Sequence, residues 1–529
     1  GAYGGKIYNK LEPIASLLAR LSGRPVRFVL SREEVFVTSS KHGAVCRMKT
    51  GVSRDGRITA RKVEVYYDTG AFAEIGPRIA YKTGCVASGP YRIPNIRIDS
   101  YCVYTNKTPS GPFRGFGVPQ LAFAYEAHMD KVAHHLGRDP VEFRREYAYR
   151  EGDVFATGTP LTSLGLHESL DRCAEAIGWT PGPVAPPSPP PAKGVRRGKG
   201  VALAIKGLLA PSASAAILEM TSDGSLNVLT STVEMGQGSD TALCQIAAEA
   251  LGVPLGRVRV VRPDTDVTPY DMLTAGSRST FNMGRAVQMA ADDLKRPLFE
   301  TASEALEVDA GQLEVREGAV RVKGAPERKL SLEEVFHRRF QGARGGTLVG
   351  QGLFQIAIVP MDKETGQSKN MTAHWFSGAS AAEVEVDCET GRVRVLKFAA
   401  AADVGRAVHP AHCEQQINGA AITTLGLTLF ESMRFEEGRI TNPSFLEYPI
   451  PSFGDVPPEM EAILIEEPHP DGPYGAKGVG ETGTMATVPA VAGAIFDAVG
   501  VWVSEIPITP ESLLRAIRSA RGDGRGSDD

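Results

Sequence analysis

The 529-residue sequence predicts a mixed α+β protein with more than one domain. Segments rich in β-branched and aromatic residues alternate with segments whose apolar residues recur at helical spacing. The chain is also longer than a single hydrophobic core usually supports. Finally, a proline-rich segment, TPGPVAPPSPPPAKGVRRGKG, interrupts it from Thr180 to Gly200 and predicts an extended connector.

The region before this connector, residues 1–180, is predicted to form one domain. RITARKVEVYYDTGAF is rich in β-branched and aromatic residues and predicts a strand. LAFAYEAHMDKVAHHLG carries apolar residues at helical spacing and predicts a helix that ends near Gly137, since glycine is a common helix stop.

The region after the connector, residues 201–517, is predicted to contain two similar subdomains. AAILEMTSDGSLNVLTS predicts a hairpin that turns at Asp223-Gly224, and AAEVEVDCETGRVRVLKFAAAADVG predicts another that turns near Thr390-Gly391. Each is followed by a loop and an apolar helix, TALCQIAAEALG and QQINGAAITTLGLTLF. Residues 181–200 are the predicted linker, and the polar residues 518–529 are a predicted disordered tail.

Composition narrows the possible functions. The sequence has 58 Lys and Arg residues against 62 Asp and Glu residues, a net charge of −4. A nucleic-acid-binding protein usually shows an excess of Lys and Arg instead. We find no run of eighteen apolar residues and no secretory signal, so no transmembrane segment is expected. The seven cysteines form no CxxC pair, so we expect no iron–sulfur cluster or structural zinc held by this chain alone. Widely spaced thiols favour a reducing compartment, and we expect the cytoplasm.

Five glycine-rich loops, each predicted to open a helix, are the candidate sites of chemistry. They are GAYGGK (1–6), GPFRGFG (111–117), EMGQGS (234–239), TAGSRST (274–280) and GAKGVGETG (475–483). Unpaired N–H groups at a helix start suit an anion such as a phosphate, and Ser239 and Asp240 suit helix capping. The alternative is that each loop only makes a turn. GAYGGK is not a Walker A loop, because Ile7 stands where Ser or Thr should follow Lys6, and the sequence has no dinucleotide-binding fingerprint.

Taken together and in order, these loops resemble motifs of the molybdenum-binding large subunit of the xanthine dehydrogenase and aldehyde oxidase family. Residues 3–6 are similar to the second half of its GGGFGGK loop, residues 112–120 to its AFRGFGxPQ loop, and residues 234–238 to its EMGQG loop. Residues 275–279 are similar to its serine-rich pterin loop, residues 416–419 to a Gln-x-x-Gly segment, and KGVGE, which ends at Glu481, to the loop that carries its catalytic carboxylate. The resemblance covers nearly the whole chain.

The resemblance implies the multidomain molybdopterin-binding fold of the xanthine oxidase type, with repeated α+β subdomains. Residues 1–180 would be a first molybdopterin-binding domain that lacks its N-terminal part, and residues 201–517 a second one. The molybdenum would be held by the pterin dithiolene and not by side chains, and the wording of the serine loop favours the cytosine dinucleotide form of molybdopterin. We expect this chain to be the C-terminal portion of the subunit, either because the subunit is naturally split or because the sequence is truncated. It would be completed by a chain that supplies the missing part and joined by iron–sulfur and FAD subunits.

The resemblance also assigns cofactor contacts within the loops. They fall on Tyr3, Gly4, Gly5, Phe113, Arg114, Gly236, Gln237, Gly238, Ala275, Gly276, Ser277, Arg278, Ser279 and Gln416. A neutral amide such as that of Gln237 donates without adding charge, serine hydroxyls donate to pterin or phosphate oxygens, and an arginine pairs bidentately with phosphate. The alternatives are ordinary helix caps for the serines and Gln237, a surface salt bridge for Arg278, and a helix glutamine for Gln416.

Glu481 is the predicted catalytic residue. The family hydroxylates a carbon next to a heteroatom, or an aldehyde carbon, with water as the oxygen source, and this reaction needs a general base. A carboxylate buried in the KGVGE loop would have a raised pKa, which suits that role. The alternative is that Glu481 only complements the dipole of the helix that follows.

Phe116, Lys82 and Ile7 are the predicted substrate contacts. Phe116 would stack on a flat substrate, unless it is simply a core residue. Ile7 and Lys82 stand where the purine enzymes of the family carry a glutamate and an arginine, so an N-heteroaromatic compound or an aldehyde is favoured over a purine such as xanthine. The loop around Phe116 also lacks the copper-binding cysteine of the carbon monoxide dehydrogenase branch. The competing function is a non-catalytic scaffold subunit, which would have no need of Glu481, Gln237 and Phe116.

Overall fold

The computed structural model describes residues 1–182, 193–209, 212–341, 346–362 and 364–522. Helices and strands alternate along the first of these segments, as expected from the sequence. Its elements are α1 Glu12–Ser22, α2 Arg32–Thr38, β1 Ser40–Lys41, β2 Gly43–Val52, β3 Ile58–Gly70, α3 Gly76–Gly84, β4 Ile96–Tyr104, β5 Ser110–Gly111, α4 Val118–His135, α5 Pro140–Tyr147 and α6 Leu166–Ala176.

The remaining segments hold most of the strands. Their elements are β6 Val195–Gly207, β7 Ala213–Met220, β8 Leu226–Leu229, α7 Ser239–Leu251, β9 Val258–Val261, α8 Gly284–Leu306, β10 Leu313–Arg316, β11 Ala319–Val322, β12 Ala325–Ser331, α9 Leu332–Arg339, β13 Leu348–Gln355, β14 Trp375–Asp387, β15 Val393–Asp403, α10 Pro410–Leu429, β16 Phe435–Glu436, β17 Arg439–Ile440, β18 Glu459–Ile465, α11 Thr487–Val499 and α12 Pro510–Arg521. A π-helical turn at Ser279–Met283 leads directly into α8.

The predicted local elements are confirmed. RITARKVEVYYDTGAF contains β3, which pairs antiparallel with β2 and parallel with β4. LAFAYEAHMDKVAHHLG lies in α4 and the residues that cap it. Both hairpins are antiparallel pairs, β7 with β8 and β14 with β15, and the apolar helices α7 and α10 follow them.

A four-stranded sheet in the order β18-β15-β14-β6 organises the larger core. Helices α4, α6 and α11 pack on it, so residues from both sides of the proline-rich segment share one hydrophobic core. α11 lies directly on the backbone of β6: a Cβ added at Gly198 would come within 2.3 Å of the Ala494 carbonyl oxygen. Only glycine permits such a close helix–strand approach.

A second core is built from the segment between β6 and β14. It contains the sheet β13-β7-β8-β9, the sheet β10-β11-β12 and helices α7, α8 and α9. The two predicted subdomains of residues 201–517 are therefore not successive, because one is inserted between two adjacent strands of the other. Whether the predicted units 1–180 and 201–517 fold as separate domains stays a prediction.

The predicted linker and the predicted disordered tail each contain some regular secondary structure. β6 begins at Val195 and pairs with β14 from that residue onward, so residues 195–200 of the predicted linker are strand. α12 extends to Arg521 with Leu513 and Ile517 buried, so residues 518–521 of the predicted tail are helix. Tertiary pairing and apolar burial override the local polar composition in both cases. Residues 183–192 and 523–529 of these two predictions lie outside the described residues.

One window meets the length and composition of a membrane span, although the sequence predicted none. It is Thr482–Val499, and 83% of this window is buried inside the fold. α11 sits between the central sheet and α4, so its apolar character is that of a core helix.

Candidate active site

The five glycine-rich loops meet around one cavity of about 650 Å³. All of the predicted cofactor, substrate and catalytic residues line it except Gly5. The first loop does not open a helix as predicted, because α1 begins at Glu12. It packs instead against the loop before α4: Gly4 has φ +117°, and a Cβ added there would lie 2.2 Å from the Pro112 carbonyl oxygen.

The EMGQG loop is organised by Glu234. Its carboxylate accepts hydrogen bonds from the backbone N–H groups of Gly236 (2.7 Å), Gly238 (3.1 Å) and Asp240 (3.1 Å), and from the Ser239 hydroxyl (3.1 Å). The N-cap of α7 is Gly238, with φ +81° and no side-chain cap. The prediction that Ser239 and Asp240 cap this helix is therefore wrong, because Glu234 already takes the free N–H groups of the first turn.

Gln237 lies at the cavity wall, with its amide bonded inside its own loop. The amide oxygen accepts from the Met235 N–H at 2.6 Å, and the amide nitrogen donates to the Val233 carbonyl (2.7 Å) and to Ser239 (2.9 Å). Donation from this amide nitrogen to a metal centre, as the resemblance implies, would require one of its two N–H hydrogen bonds to open, because both N–H groups are already used.

Arg278 holds its loop in place through hydrogen bonds within the protein. The side chain is 1% exposed and pairs with Asp271 at 2.6 Å. Its other N–H groups donate to Ser212, Ala213, Ser214 and Leu273. The predicted phosphate contact of this guanidinium is therefore wrong for this structure, because all five donors are already used within the protein.

Arg114 joins its own loop to the loop of Glu481 and to helix α10. Its guanidinium donates to the carbonyl oxygen of Gly480, and to the backbone and side-chain oxygens of Gln416 at 3.0 and 2.8 Å. Burial lowers the pKa of Arg114, opposed by the charge of Glu481. An arginine satisfied by carbonyl oxygens leaves the neighbouring carboxylate free for other partners.

Glu481 is 8% exposed and lies at the edge of the cavity. One carboxylate oxygen accepts from the Gly115 N–H at 3.0 Å, and the other lies 2.5 Å from the Lys206 ammonium. Burial alone raises the pKa of Glu481, but the charge and hydrogen bond of Lys206, the Gly115 N–H and the charge of Lys82 outweigh it, so its pKa is lowered. The expected rise in the pKa of Glu481 is wrong, because the positive charge of Lys206, which is far away in sequence, favours the ionised carboxylate.

Lys206 lines the cavity and pairs with Glu481, but the sequence did not single it out. It lies near the end of β6, is 7% exposed, and its ammonium is 5.9 Å from the centre of the Phe376 ring. A signal was available: a lysine inside the apolar run VALAIKGLL is buried only if it finds a partner. The partner is 275 positions away in sequence, and only the fold brings the two together.

Phe116 has a half-buried ring and a left-handed backbone, with φ +54°. The ring packs against the small core between α3 and β3, and it also lines the cavity, so both alternatives raised for it hold in part. The Lys82 ammonium lies 5.2 Å from the ring centre. Ile7 and Ile75 add apolar wall on the same side.

Two family models, each described as a molybdopterin cofactor-binding domain, match residues 1–148 and residues 172–457. The chain belongs to the molybdopterin-binding subunits of the xanthine dehydrogenase family. It is a molybdenum-dependent oxidoreductase subunit, as the order of its loops predicts.

Relatives and solved structures agree with this assignment. The chain is 33% identical to a probable xanthine dehydrogenase subunit of Bacillus subtilis and 32% identical to a putative xanthine dehydrogenase molybdenum-binding subunit of Escherichia coli. Each match covers 98% of this chain and 68% of the relative. The fold is similar to quinoline 2-oxidoreductase from Pseudomonas putida, with a TM-score of 0.84 at 26% identity over 98% of this chain and 68% of that one. It is also similar to the aldehyde oxidoreductase of Desulfovibrio gigas, with a TM-score of 0.83 at 26% identity over 98% and 54%.

The cavity of this molybdopterin subunit fits such a cofactor. Gly236 and Gly419 both line it, and a Cβ added at either would meet nothing within 4 Å, so both backbones open onto free space. Hydroxyls of Ser277 and Ser279 and the amide of Gln416 stand on the same wall. Open backbone and neutral polar groups suit a flat heterocycle with a phosphate tail that carries its own metal ligands.

Proposed function

We propose that this chain hydroxylates a carbon of an N-heteroaromatic compound or of an aldehyde, with water as the oxygen source and Glu481 as the general base. The observation that carries the proposal is the buried, ionised Glu481 carboxylate at the wall of the loop-lined cavity. The carboxylates of two other buried ion pairs, Asp271 and Asp403, do not line the cavity, whereas that of Glu481 does. A non-catalytic scaffold would have no need of a buried carboxylate at that wall, because such a group is costly to bury.

The cofactor would lie along the loops. The backbone at Gly236 and Gly276 and the hydroxyls of Ser277 and Ser279 would hold the pterin. The cavity continues past Gln416 to Arg406 and His409, which offers charge and a flat ring to the tail of a cytosine dinucleotide. When bound, the molybdenum centre supplies the oxygen transfer and takes up the two electrons of the reaction.

Glu481 would take the proton released as the water-derived oxygen attacks carbon. The lowered pKa keeps the carboxylate ionised at neutral pH, so it is ready to accept a proton without first losing one. Lys206 and the Gly115 N–H each hold one carboxylate oxygen, which orients the group within the cavity. Positioning of this kind is a large part of what an enzyme contributes to such a step.

The substrate would lie flat against Phe116, with Ile7 and Ile75 excluding water beside it. Purine is the alternative substrate, because two of the relatives are named as subunits of xanthine dehydrogenase. Ile7 argues against it, since an aliphatic side chain cannot hydrogen-bond a purine nitrogen or carbonyl.

Electron transfer would need partner chains. One relative is named as the gamma subunit of a 6-hydroxypseudooxynicotine dehydrogenase complex, which supports a multi-subunit assembly here. We propose iron–sulfur and FAD subunits as these partners. The cysteines, all seven of which lie in the described part of the chain, are unpaired, which fits a cytoplasmic complex.

The test combines metal analysis with one substitution. We expect the complex purified from its native host to contain stoichiometric molybdenum and to oxidise heterocycles or aldehydes. Glu481→Gln should retain the molybdenum but lower kcat by roughly 10²–10⁴-fold, because the amide cannot accept the proton. A preparation with its partner subunits but without molybdenum would support the scaffold. Unchanged kcat in the loaded variant would remove Glu481 from the mechanism.

A further inference from the structure

The cationic residues of the cavity divide into paired and unpaired groups. Lys206 pairs with Glu481, and Lys477 pairs with Asp403 at 2.7 Å. All five donors of Arg278 are used by the oxygens described above, including Asp271. Arg114 donates to the neutral oxygens of Gly480 and Gln416.

Four more cationic residues line the cavity, namely Lys6, Arg78, Lys82 and Arg406, and none of them forms an ion pair with a carboxylate of the described residues. Arg78 and Lys82 are the two that share one helix, α3. Glu74, a turn before Arg78, makes no ion pair with it either. These two charges therefore have no counterion within the described fold.

Two of these unpaired cations, Arg78 and Lys82, lie beside the predicted substrate position. They are four residues apart on α3, so they occupy the same face of that helix, one turn from each other. Lys82 stands over the ring of Phe116, and Glu481 contributes to its electrostatic surroundings from across the cavity. An aromatic platform is thus bordered by two positive charges on one side and by the catalytic carboxylate on another.

The environment of Lys82 shows that its charge is poorly compensated. Burial lowers the pKa of Lys82 to about 7, and repulsion from Lys206 and Arg78 adds to this effect, against a smaller attraction from Glu481. A partly buried cation without a counterion costs free energy, and an anionic ligand between Lys82 and Arg78 would recover it.

We propose that the substrate carries a carboxylate that binds between Lys82 and Arg78 while its ring stacks on Phe116. The substrate class is therefore an aromatic carboxylic acid, either an N-heteroaromatic carboxylate or a carboxylate-bearing aromatic aldehyde. This inference rests on the proposed function, since it assumes that the reacting carbon faces Glu481. The carboxylate stays unchanged in the reaction and serves to orient the ring.

Matched substrate pairs test the proposal in the molybdenum-loaded complex. Suitable pairs are quinoline with quinoline-4-carboxylate, nicotinamide with nicotinate, and benzaldehyde with 4-formylbenzoate. We expect kcat/KM to favour the carboxylate member of at least one pair by roughly tenfold or more, since hydrogen bonds to charged groups are the stronger ones. The preference should shrink as ionic strength rises, because salt screens partly exposed charges.

Substitutions assign the preference to its residues. Lys82→Met and Arg78→Gln should each lower the carboxylate-to-neutral ratio of kcat/KM by roughly tenfold, and should raise the Kd of benzoate measured by calorimetry. Lys49→Met is the matched control: Lys49 is exposed on β2, outside the cavity, and its loss should change neither quantity.

The outcomes separate the two proposals. Turnover of the neutral members with no preference for their carboxylate partners would overturn the anionic substrate and leave the hydroxylase function standing. A preference that survives both substitutions would overturn the assignment to Lys82 and Arg78. Failure of the molybdenum-loaded complex to oxidise any member of any pair would count against the proposed function itself.

Discussion

At the scale of single residues, the charge state of the proposed catalytic carboxylate, Glu481, depends on a lysine that lies in a different element. Burial and a cation act in opposite directions on an acid, and at Glu481 the cation dominates. The contact with Lys206 brings two buried charges together at 2.5 Å, where either one alone would be costly. Arg278 is another buried charge with a buried partner: its guanidinium pairs with the carboxylate of Asp271 within the protein.

The pH dependence of turnover should report this pair. The pKa of Glu481 is lowered, so the acid limb of the kcat/KM profile should lie below the usual range of a glutamate, and activity should fall only when the pH drops through it. Lys206→Met removes the positive charge that lowers the pKa of Glu481 most, and the effect of burial, which raises this pKa, remains. The acid limb of the kcat/KM profile should therefore move to higher pH. The measurement is kcat/KM against pH for the molybdenum-loaded complex.

Lys206→Arg is the control for that experiment. It keeps a positive charge near Glu481, so its acid limb should stay closer to that of the wild type than the limb of Lys206→Met. A profile that is unchanged in Lys206→Met would show that Lys206 does not set the protonation of the catalytic group. A merely structural role would lower activity at every pH without moving the limb.

At the scale of elements, glycines in strands set how closely helices approach the sheets. Gly198 and Gly200 of β6 face α11, and Gly350 and Gly352 of β13 face α8. A Cβ atom added at any of these glycines would lie 2.0–2.3 Å from a carbonyl oxygen of the facing helix. The same device recurs in both cores. It places the ends of β6 and α11, and so Lys206 and the loop of Glu481, within reach of each other.

Gly200→Ala should therefore destabilise the protein. The added methyl would lie 2.3 Å from the carbonyl oxygen of Ala490, and the helix can only yield by moving off the sheet. We expect a loss of about 1–3 kcal/mol in the free energy of unfolding, measured by urea denaturation.

Gly43→Ala is the matched control, because Gly43 also lies in a strand but its Cβ would meet nothing closer than 3.8 Å. Its unfolding free energy should change by less than about 0.5 kcal/mol. Equal losses in the two variants would show that the effect comes from glycine flexibility and not from helix contact.

At the scale of the whole molecule, one buried ionic cluster ties the two sides of the proline-rich segment together. Arg144 of α5 binds Glu126 at 2.8 Å and Asp130 at 2.6 Å, both on α4. Glu126 also accepts the backbone N–H of Leu203 in β6 at 2.9 Å. The helices of residues 1–180 are thus bonded to the sheet of the later region, within the larger core.

Arg144→Met should weaken both sides of that core at once. Removing one member of a buried charge cluster typically costs about 3–5 kcal/mol, because Glu126 and Asp130 would be left uncompensated. Trp179 lies before the proline-rich segment, whereas Trp375 and Trp502 lie after it, and Trp179 and Trp375 belong to the larger core. We expect single-tryptophan variants to unfold with the same urea midpoint, measured by tryptophan fluorescence. Adding Arg144→Met should lower this midpoint in every one of them.

Separate midpoints for Trp179 and Trp375 would instead indicate that residues 1–180 unfold as an independent domain. Arg296→Met is the control, since Arg296 forms an exposed pair with Asp293 on α8 and its side chain is 75% exposed. Surface pairs of this kind contribute little, so the midpoint should be nearly unchanged.

The sequence by itself determined the local elements and the family. Hairpins that turn at Asp223-Gly224 and Thr390-Gly391, the α4 helix and the order of the glycine loops are all encoded over short stretches, because turn chemistry and hydrophobic periodicity act between near neighbours. Every residue that the sequence assigned to the site lines the cavity except Gly5, although the sequence did not single out Lys206 or Arg78.

Only the tertiary structure decided the charges and the topology. The direction of the Glu481 pKa, the inward turn of Arg278, the unpaired state of Lys82 and the insertion of one core between β6 and β14 all depend on residues far apart in sequence. An electrostatic environment is a sum over everything within a few ångströms of a charge, and sequence spacing does not specify those neighbours.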